Sequence, residues 1–216
     1  MVQLNDAGRL PNLHQLAASF CLFALLFAVS VFGGFLQTEL GSVEIARSVH
    51  FIWTSLILVT PALMLYVWQV GRQPLGNTWR LLWTFSFLLY LGHFYYSYFI
   101  IFQADFFMVL EEQTVVIGLA NFILTLVWLV DVVLSWLIRT YHVFVFRLRL
   151  LAHIWVAVSF YVAAIVFSSG TVQFIAMISA ALVVSLLIWR LLVWRLDTKR
   201  QQCANGMEDG LYEAET

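Results

Sequence analysis

The sequence predicts an all-α integral membrane protein that crosses the bilayer six times. Hydrophobic residues make up 62% of the 216 residues and charged residues only 11%, whereas a soluble domain needs about 25% charged residues to cover its surface. The apolar residues also come in blocks of about 20 or more. This is the length that crosses a hydrocarbon core of about 30 Å.

Short polar turns divide the apolar residues into six predicted spans. In lipid, backbone N–H and C=O groups must be satisfied within a helix or a closed barrel. These blocks lack the alternation of barrel strands, so they predict helices. The spans are residues 16–36, 49–70, 79–102, 115–137, 143–167 and 172–194. They form a predicted transmembrane domain 16–196, between a cytoplasmic segment 1–15 and an acidic tail 197–216 that is predicted to be disordered.

The first block follows a polar start that includes Asn5, Asp6 and Arg9, as the core of a signal peptide does. This block is longer than a signal-peptide core, and five further blocks follow it. We therefore expect it to be retained as the first transmembrane helix.

The segment between the third and fourth spans, QADFFMVLEEQT at residues 103–114, combines acidic side chains with large apolar ones. It is too short and too acidic to cross the bilayer. This composition indicates a short segment that lies on the outer face of the membrane that the protein spans, or that forms a docking edge for another subunit.

The distribution of basic residues predicts the orientation of the chain. With the amino terminus inside, ten of the 11 lysine and arginine residues fall on the inner side, and only Arg47 falls on the outer side. Basic residues concentrate in cytoplasmic turns of membrane proteins. We therefore expect both termini in the cytoplasm and the protein in a bacterial-type inner membrane.

Small residues predict which spans approach each other closely. Spans one, five and six carry small residues four positions apart, a spacing that brings helix backbones together in lipid. The pairs are Ala17 and Cys21, Ala24 and Ala28, Ser159 and Ala163, and Ala176 and Ala180. We expect these three spans to form a tight core, with the bulky aromatic spans two, three and four outside it.

Asp131, in the fourth span, is the clearest charged residue within the membrane. A charge at this depth costs about 2.5–3.5 kcal/mol on insertion scales, so it predicts a partner or a function. The fourth and fifth spans form a hairpin whose register sets Asp131 opposite Leu151. Arg149 and His153 bracket that position and share one helix face, which His142 extends.

Besides the simple case in which these polar groups extend to the membrane interface, two interpretations of these residues remain open. In the first, Asp131 and Arg149 form an interhelical ion pair that neutralises both charges and fixes the hairpin. In the second, Asp131 and His153 belong to a proton relay or ligand site, with Arg149 and His142 on the same face.

The third span contains the aromatic stretch LLYLGHFYYSYFIIF around His93. Together with Tyr95 and Tyr96, this histidine could line a pocket for quinone or another flat hydrophobic ligand, or these rings could be ordinary membrane anchors. Haem b needs two histidines at one depth on different helices. His50 lies roughly 6 Å shallower than His93, so haem fits less well than quinone.

Other chemistry has little support in the sequence. Cys21 lies in the first span and Cys203 in the tail, so no disulfide is expected. No cluster of cysteine and histidine has metal-binding spacing, so no metal site is predicted. Neither a catalytic motif nor a basic aqueous domain for nucleic acid is present.

Three functions of different classes follow from these residues. The preferred hypothesis is a non-catalytic membrane subunit or accessory protein of a larger complex, in contact with lipid and with other subunits. The first alternative is a redox protein that handles quinone or haem b through His93 or His153. The second is a small transporter or lipid-handling protein gated by Asp131, Arg149 and His153. No catalytic residue is assigned.

Overall fold

The structure is a computed structural model that describes residues 10–36, 42–70, 75–138, 142–166, 168 and 170–214. Within these ranges all regular secondary structure is helical, which confirms the all-α prediction. Residues 1–9 and 215–216 of the predicted terminal segments lie outside the described residues. The helices are α1 (Leu13–Gly33), α2 (Val43–Gln69), α3 (Asn77–Phe94), α4 (Phe106–Gln113), α5 (Val115–Leu137), α6 (Val143–Val166) and α7 (Thr171–Ala214), and a π-helical segment (Tyr95–Ile101) continues α3.

In the described part of the chain, five helices are long and apolar enough to cross a membrane, and α3 with its π-helical segment adds a sixth. Helices α1, α2, α5, α6 and α7 each contain a sufficiently long apolar stretch. Helix α3 with its π-helical segment is the sixth, because it runs antiparallel along α2. Ser48 Oγ lies 2.9 Å from His93 Nδ1 near one end, and the Tyr66 and Trp79 rings are 6.2 Å apart near the other. Residues 48 and 66 are about 27 Å apart along a helix, so α3 crosses the same thickness as α2.

The two ends of this bundle differ. At one end, α2 leads into α3 and α5 leads into α6, and we call this the hairpin end. At the other end, the π-helical segment leads through α4 into α5, and we call this the α4 end. Helix α4 is turned by 101° from the axis of α3 and its π-helical segment. It therefore lies across the bundle and does not continue the span.

Helix α4 is held against α5 by its apolar side. Asp105 accepts hydrogen bonds from the N–H groups of Phe107 and Met108 and so caps the helix. Val109 is buried, and Gly118 leaves room on α5, since a Cβ there would lie 2.9 Å from Leu110. The acidic segment that the sequence places outside the spans is thus a short amphipathic helix.

The predicted core of spans one, five and six is wrong. Helix α2 packs most extensively on α3, and these two helices contact α1, α5, α6 and α7 around them. Large rings account for this arrangement, because a flat aromatic side chain buries more apolar area than a small residue. Trp79, Trp83 and Trp128 are fully buried at the centre. Of the small residues that the sequence singles out, Ala17, Cys21 and Ala24 of α1 are exposed, whereas Ala176 of α7 is buried in the core.

The carboxyl-terminal part of α7 differs from the sequence-based expectation. Residues from 197 onward were expected to be disordered because they are acidic and small. The helix continues instead through Ala214. Alanine, glutamate, glutamine, leucine, lysine and arginine, which are strong helix formers, make up much of this stretch, and they favour continuation of a helix that has already formed.

Gly92 allows the closest contact between α2 and α3. A Cβ at this position would lie 2.4 Å from Cδ1 of Phe51, and Phe51 is buried. Even a methyl group there would force the ring out of its place. The absence of a side chain at Gly92 therefore sets the distance between the two helices at the α4 end.

Gly92→Ala should destabilise the protein by about 1–3 kcal/mol, because the added methyl group overpacks the contact with Phe51. Thermal unfolding in detergent would measure this as a lower midpoint. Phe51→Leu provides the control: its effect should be smaller in the Gly92→Ala background than in the wild type, since the smaller side chain makes room for the methyl group. Independent, additive effects would contradict the contact.

Candidate functional site

The hairpin end holds a buried ion pair. Asp131 on α5 is fully buried, and Arg149 on α6 donates from Nε to its Oδ1 at 3.2 Å. The structure thus brings Asp131 together with Arg149, one of the two residues that bracket the predicted opposite position, Leu151. The pair connects α5 and α6 within the membrane and neutralises two charges that would each be costly alone.

His153 joins the same cluster with both ring nitrogens engaged. Its Nδ1 donates to the Arg149 carbonyl oxygen at 2.7 Å, because a carbonyl oxygen can only accept. Its Nε2 accepts from Trp79 Nε1 at 3.2 Å, and it therefore carries no hydrogen, because an indole N–H can only donate. The distance from Nδ1 to Asp131 Oδ2 is 3.9 Å. The histidine is held as a neutral ring beside the ion pair.

Aromatic rings enclose this cluster. The imidazole of His153 is stacked between Tyr66 and Trp83, with ring centroids 3.8 and 4.0 Å away. The guanidinium carbon of Arg149 lies 5.1 Å from the Trp79 ring centroid. Arg149 and His153 are only 7% and 3% exposed. The cluster is therefore screened from water by large apolar surfaces.

The ion pair is not completely satisfied within the protein. Asp131 Oδ2 and Arg149 Nη2 are buried and make no hydrogen bond to the described residues. A buried polar atom without a partner costs about 1–3 kcal/mol. His142, which the sequence sets on the same face, is exposed at the start of α6 and lies outside the cluster.

A second polar region lies at the α4 end, around a cavity of about 390 Å³. Helices α2, α3, α5 and α6 form most of its wall, and Gln113 at the end of α4 completes it. Most of the lining side chains are apolar. The polar lining residues are Tyr90, His93, Gln113, Asn121, Ser159 and Ser168.

His93 lines this cavity, and one of its ring nitrogens has no hydrogen-bond partner in the described part of the chain. Its Nδ1 lies 3.0 Å from the Ser48 carbonyl oxygen and 2.9 Å from Ser48 Oγ. The carbonyl oxygen can only accept, so Nδ1 carries the ring hydrogen. The lone pair is then on Nε2, which makes no hydrogen bond to the described residues. Because Nδ1 is turned toward α2, Nε2 is the nitrogen left for the cavity.

The neighbouring polar groups are already engaged with each other. Asn121 donates to Gln113 Oε1 at 3.2 Å, which joins α5 to the end of α4. The Tyr90 hydroxyl contacts Thr125 Oγ1 at 3.0 Å and donates to the Asn121 carbonyl oxygen at 3.3 Å. These bonds hold the polar side of the cavity in place beside His93.

The other ligand-site residues suggested by the sequence do not line the cavity. Tyr95 is half-exposed, and Tyr96 stacks on Phe51 with ring centroids 5.7 Å apart. His50 donates from Nδ1 to the Ala46 carbonyl oxygen at 2.7 Å, and its ring lies against Gly33 of α1. Of these four positions, only His93 reaches the cavity.

Sequence reasoning missed several cavity residues, above all Gln113 and Asn121. An asparagine within an apolar span was a usable signal, because an amide in lipid needs a partner. Gln113 carried no such signal, since it lies at the end of the short surface segment. The π-helical segment directly after Phe94 was also unforeseen, and such segments are frequent near functional sites.

Asp131→Asn should lower the free energy of unfolding by about 3–5 kcal/mol, because it leaves Arg149 buried without a counter-charge. Arg149→Leu should lower the free energy of unfolding by a similar amount, because it leaves Asp131 buried without a counter-charge. The double variant should recover most of the loss, since neither charge remains. Thermal unfolding of the four proteins in detergent measures the coupling between the two positions. Near-wild-type stability of Asp131→Asn would show that the pair does not hold the hairpin together.

Comparisons of the chain with models of protein families, with curated proteins and with solved structures gave no match. The residues that bear on function are therefore those of the two regions described above. One is the enclosed cluster of Asp131, Arg149 and His153, and the other is the cavity beside His93.

Proposed function

We propose that this membrane protein binds a lipophilic molecule of the quinone class in the cavity at the α4 end. The observation that carries this proposal is a cavity of about 390 Å³ that is mostly apolar and has the free nitrogen of His93 in its wall. Pockets for small molecules are typically about 300–1,000 Å³, with apolar walls and a few polar groups that orient the ligand.

The wall chemistry supports a flat ligand. Trp53, Tyr90 and Phe160 provide aromatic surfaces from three different helices, and aromatic rings pack well against a planar ring. His93 and the amides of Gln113 and Asn121 lie on the polar side, where they can orient an oxygen-bearing ring. An alkyl tail would extend along the apolar part of the wall.

The same geometry gives less support to haem b. Two axial histidines on different helices hold such a haem, and His93 is the one histidine among the described residues that line the cavity. His50 lies against α1, and His153 is engaged at the hairpin end. A quinone needs only a hydrogen-bonding group and a flat apolar slot.

A transporter gated by Asp131 has less support. Neither of the two cavities found at the α4 end is lined by Asp131, Arg149 or His153. The hypothesis of an accessory subunit remains open as a proposal, and it is compatible with quinone binding. In such an assembly this chain would hold a quinone within the membrane, in contact with lipid and with neighbouring subunits.

We also propose a bacterial inner membrane as the location, with both termini in the cytoplasm. The positive-inside distribution of basic residues supports this orientation. It would place the hairpin end near the cytoplasm, and α4 and the cavity near the outer surface.

Cysteine labelling of intact cells tests this orientation and the number of spans. Met108 is 38% exposed on α4. In a Met108→Cys, Cys203→Ser variant, a membrane-impermeant maleimide should label position 108 from outside. In the wild type, the native Cys203 should react only after the cells are opened, because the three spans α5, α6 and α7 separate the tail from α4. Cys21 lies within α1 and should be shielded by lipid. Labelling of both sites from the same side would contradict the six-span map.

Ala163→Leu should weaken binding of decylubiquinone and of its quinol at least tenfold, because the larger side chain enters the cavity wall. Isothermal titration calorimetry on the detergent-purified protein measures both ligands. Val162→Leu is the matched control: Val162 is the preceding residue on α6, is 50% exposed and does not line the cavity. Equal weakening in both variants, or no binding of either ligand to the wild type, would overturn the proposed function.

A further inference from the structure

We infer that the cavity selects the hydroxyl-bearing, reduced form of its ligand, so that a quinol binds more tightly than the corresponding quinone. This inference rests on the proposed function and adds to it the chemical form that the site prefers. It follows from which nitrogen of His93 carries the ring hydrogen.

The first step is the tautomer of His93. The Ser48 carbonyl oxygen, 3.0 Å from Nδ1, accepts hydrogen bonds and cannot donate them. Nδ1 must therefore carry the hydrogen, since two facing lone pairs would repel each other. The carbonyl belongs to the backbone of α2, so the α2–α3 contact fixes this tautomer. Nε2 is left as an acceptor.

The second step is the charge of the ring. The cavity wall, in the described part of the chain, includes no aspartate or glutamate. A charged imidazole would be uncompensated among apolar side chains, which is costly. A neutral ring with its hydrogen on Nδ1 offers the ligand one lone pair and no N–H group.

His153 shows what such a nitrogen accepts in this protein. Its Nδ1 also donates to a backbone carbonyl oxygen, and its Nε2 meets the indole N–H of Trp79, which can only donate. The two histidines thus have the same arrangement at Nδ1. They differ in what faces Nε2, which is a protein donor at the hairpin end and the cavity at the α4 end.

The third step concerns the two redox forms of the ligand. A quinol hydroxyl can donate to Nε2, whereas the oxygen of a quinone offers only lone pairs and would leave Nε2 unsatisfied. The Tyr90 hydroxyl does not supply a hydrogen bond to Nε2 in place of the ligand, because it is engaged with Thr125 and the Asn121 carbonyl oxygen. Leaving a buried acceptor without a donor typically weakens binding by about tenfold.

Calorimetric titration of the purified protein with decylubiquinol, under argon, and with decylubiquinone tests the inference. The quinol should bind about tenfold more tightly. His93→Phe should bring the two affinities together, since no acceptor remains. Ser48→Ala is the matched control: it removes Oγ but keeps the carbonyl that fixes the tautomer, so the preference for the quinol should persist.

Two further measurements make the test sharper. Nitrogen-15 NMR of histidine-labelled protein, with His93→Phe used for assignment, should show a protonated Nδ1 and a bare Nε2 at His93. Farnesol, an alcohol without an aromatic ring, should bind more weakly than the quinol. Farnesol affinity equal to that of the quinol would overturn the aromatic class of the ligand.

The outcomes separate this inference from the proposed function. Equal or tighter binding of the quinone, or a hydrogen on Nε2, overturns the preference for the reduced form but leaves a quinone-binding protein. Binding of neither form overturns both. A tenfold preference that disappears in His93→Phe and survives in Ser48→Ala supports both.

Discussion

The antiparallel contact between α2 and α3 is the constraint on which the rest of the structure depends. Helix α3 is surrounded by other helices, and its side chains reach both polar regions. At the hairpin end Trp79 and Trp83 enclose His153, and at the α4 end Tyr90 and His93 line the cavity. One buried helix thus sets the relative position of the enclosed ion pair and the cavity at the α4 end.

The sequence was sufficient for features that depend on local properties of the chain. Hydropathy located the spans, because each must cover the thickness of the bilayer with apolar side chains. The partnership of Asp131 and Arg149 was also predictable, since a short turn between α5 and α6 fixes which residues face each other. A charge in lipid has few acceptable surroundings, and this narrows the choice of partner.

Features that depend on several helices at once were not predictable. Small residues four positions apart indicate that a helix can approach another helix closely, but they do not indicate which helix. The packing of aromatic rings around Trp79, Trp83 and Trp128 determines which helices form the core. The cavity is lined by residues from Val49 to Ser168, which are far apart in the chain. The turns around α4 place the non-glycine residues Gln103, Ala104 and Thr114 at positive φ. Glycine is the usual sequence signal for positive φ, and these three positions lack it.

The position of the ion pair has a consequence for biogenesis. Asp131 and Arg149 leave the ribosome only 18 residues apart, and each would resist transfer into lipid by itself. If the two helices move out of the translocon together, the opposite charges can meet before either contacts hydrocarbon. The pair therefore favours insertion of α5 and α6 as one unit. Helix α5 would move fully from the translocon into the lipid only once α6 is present to pair with it.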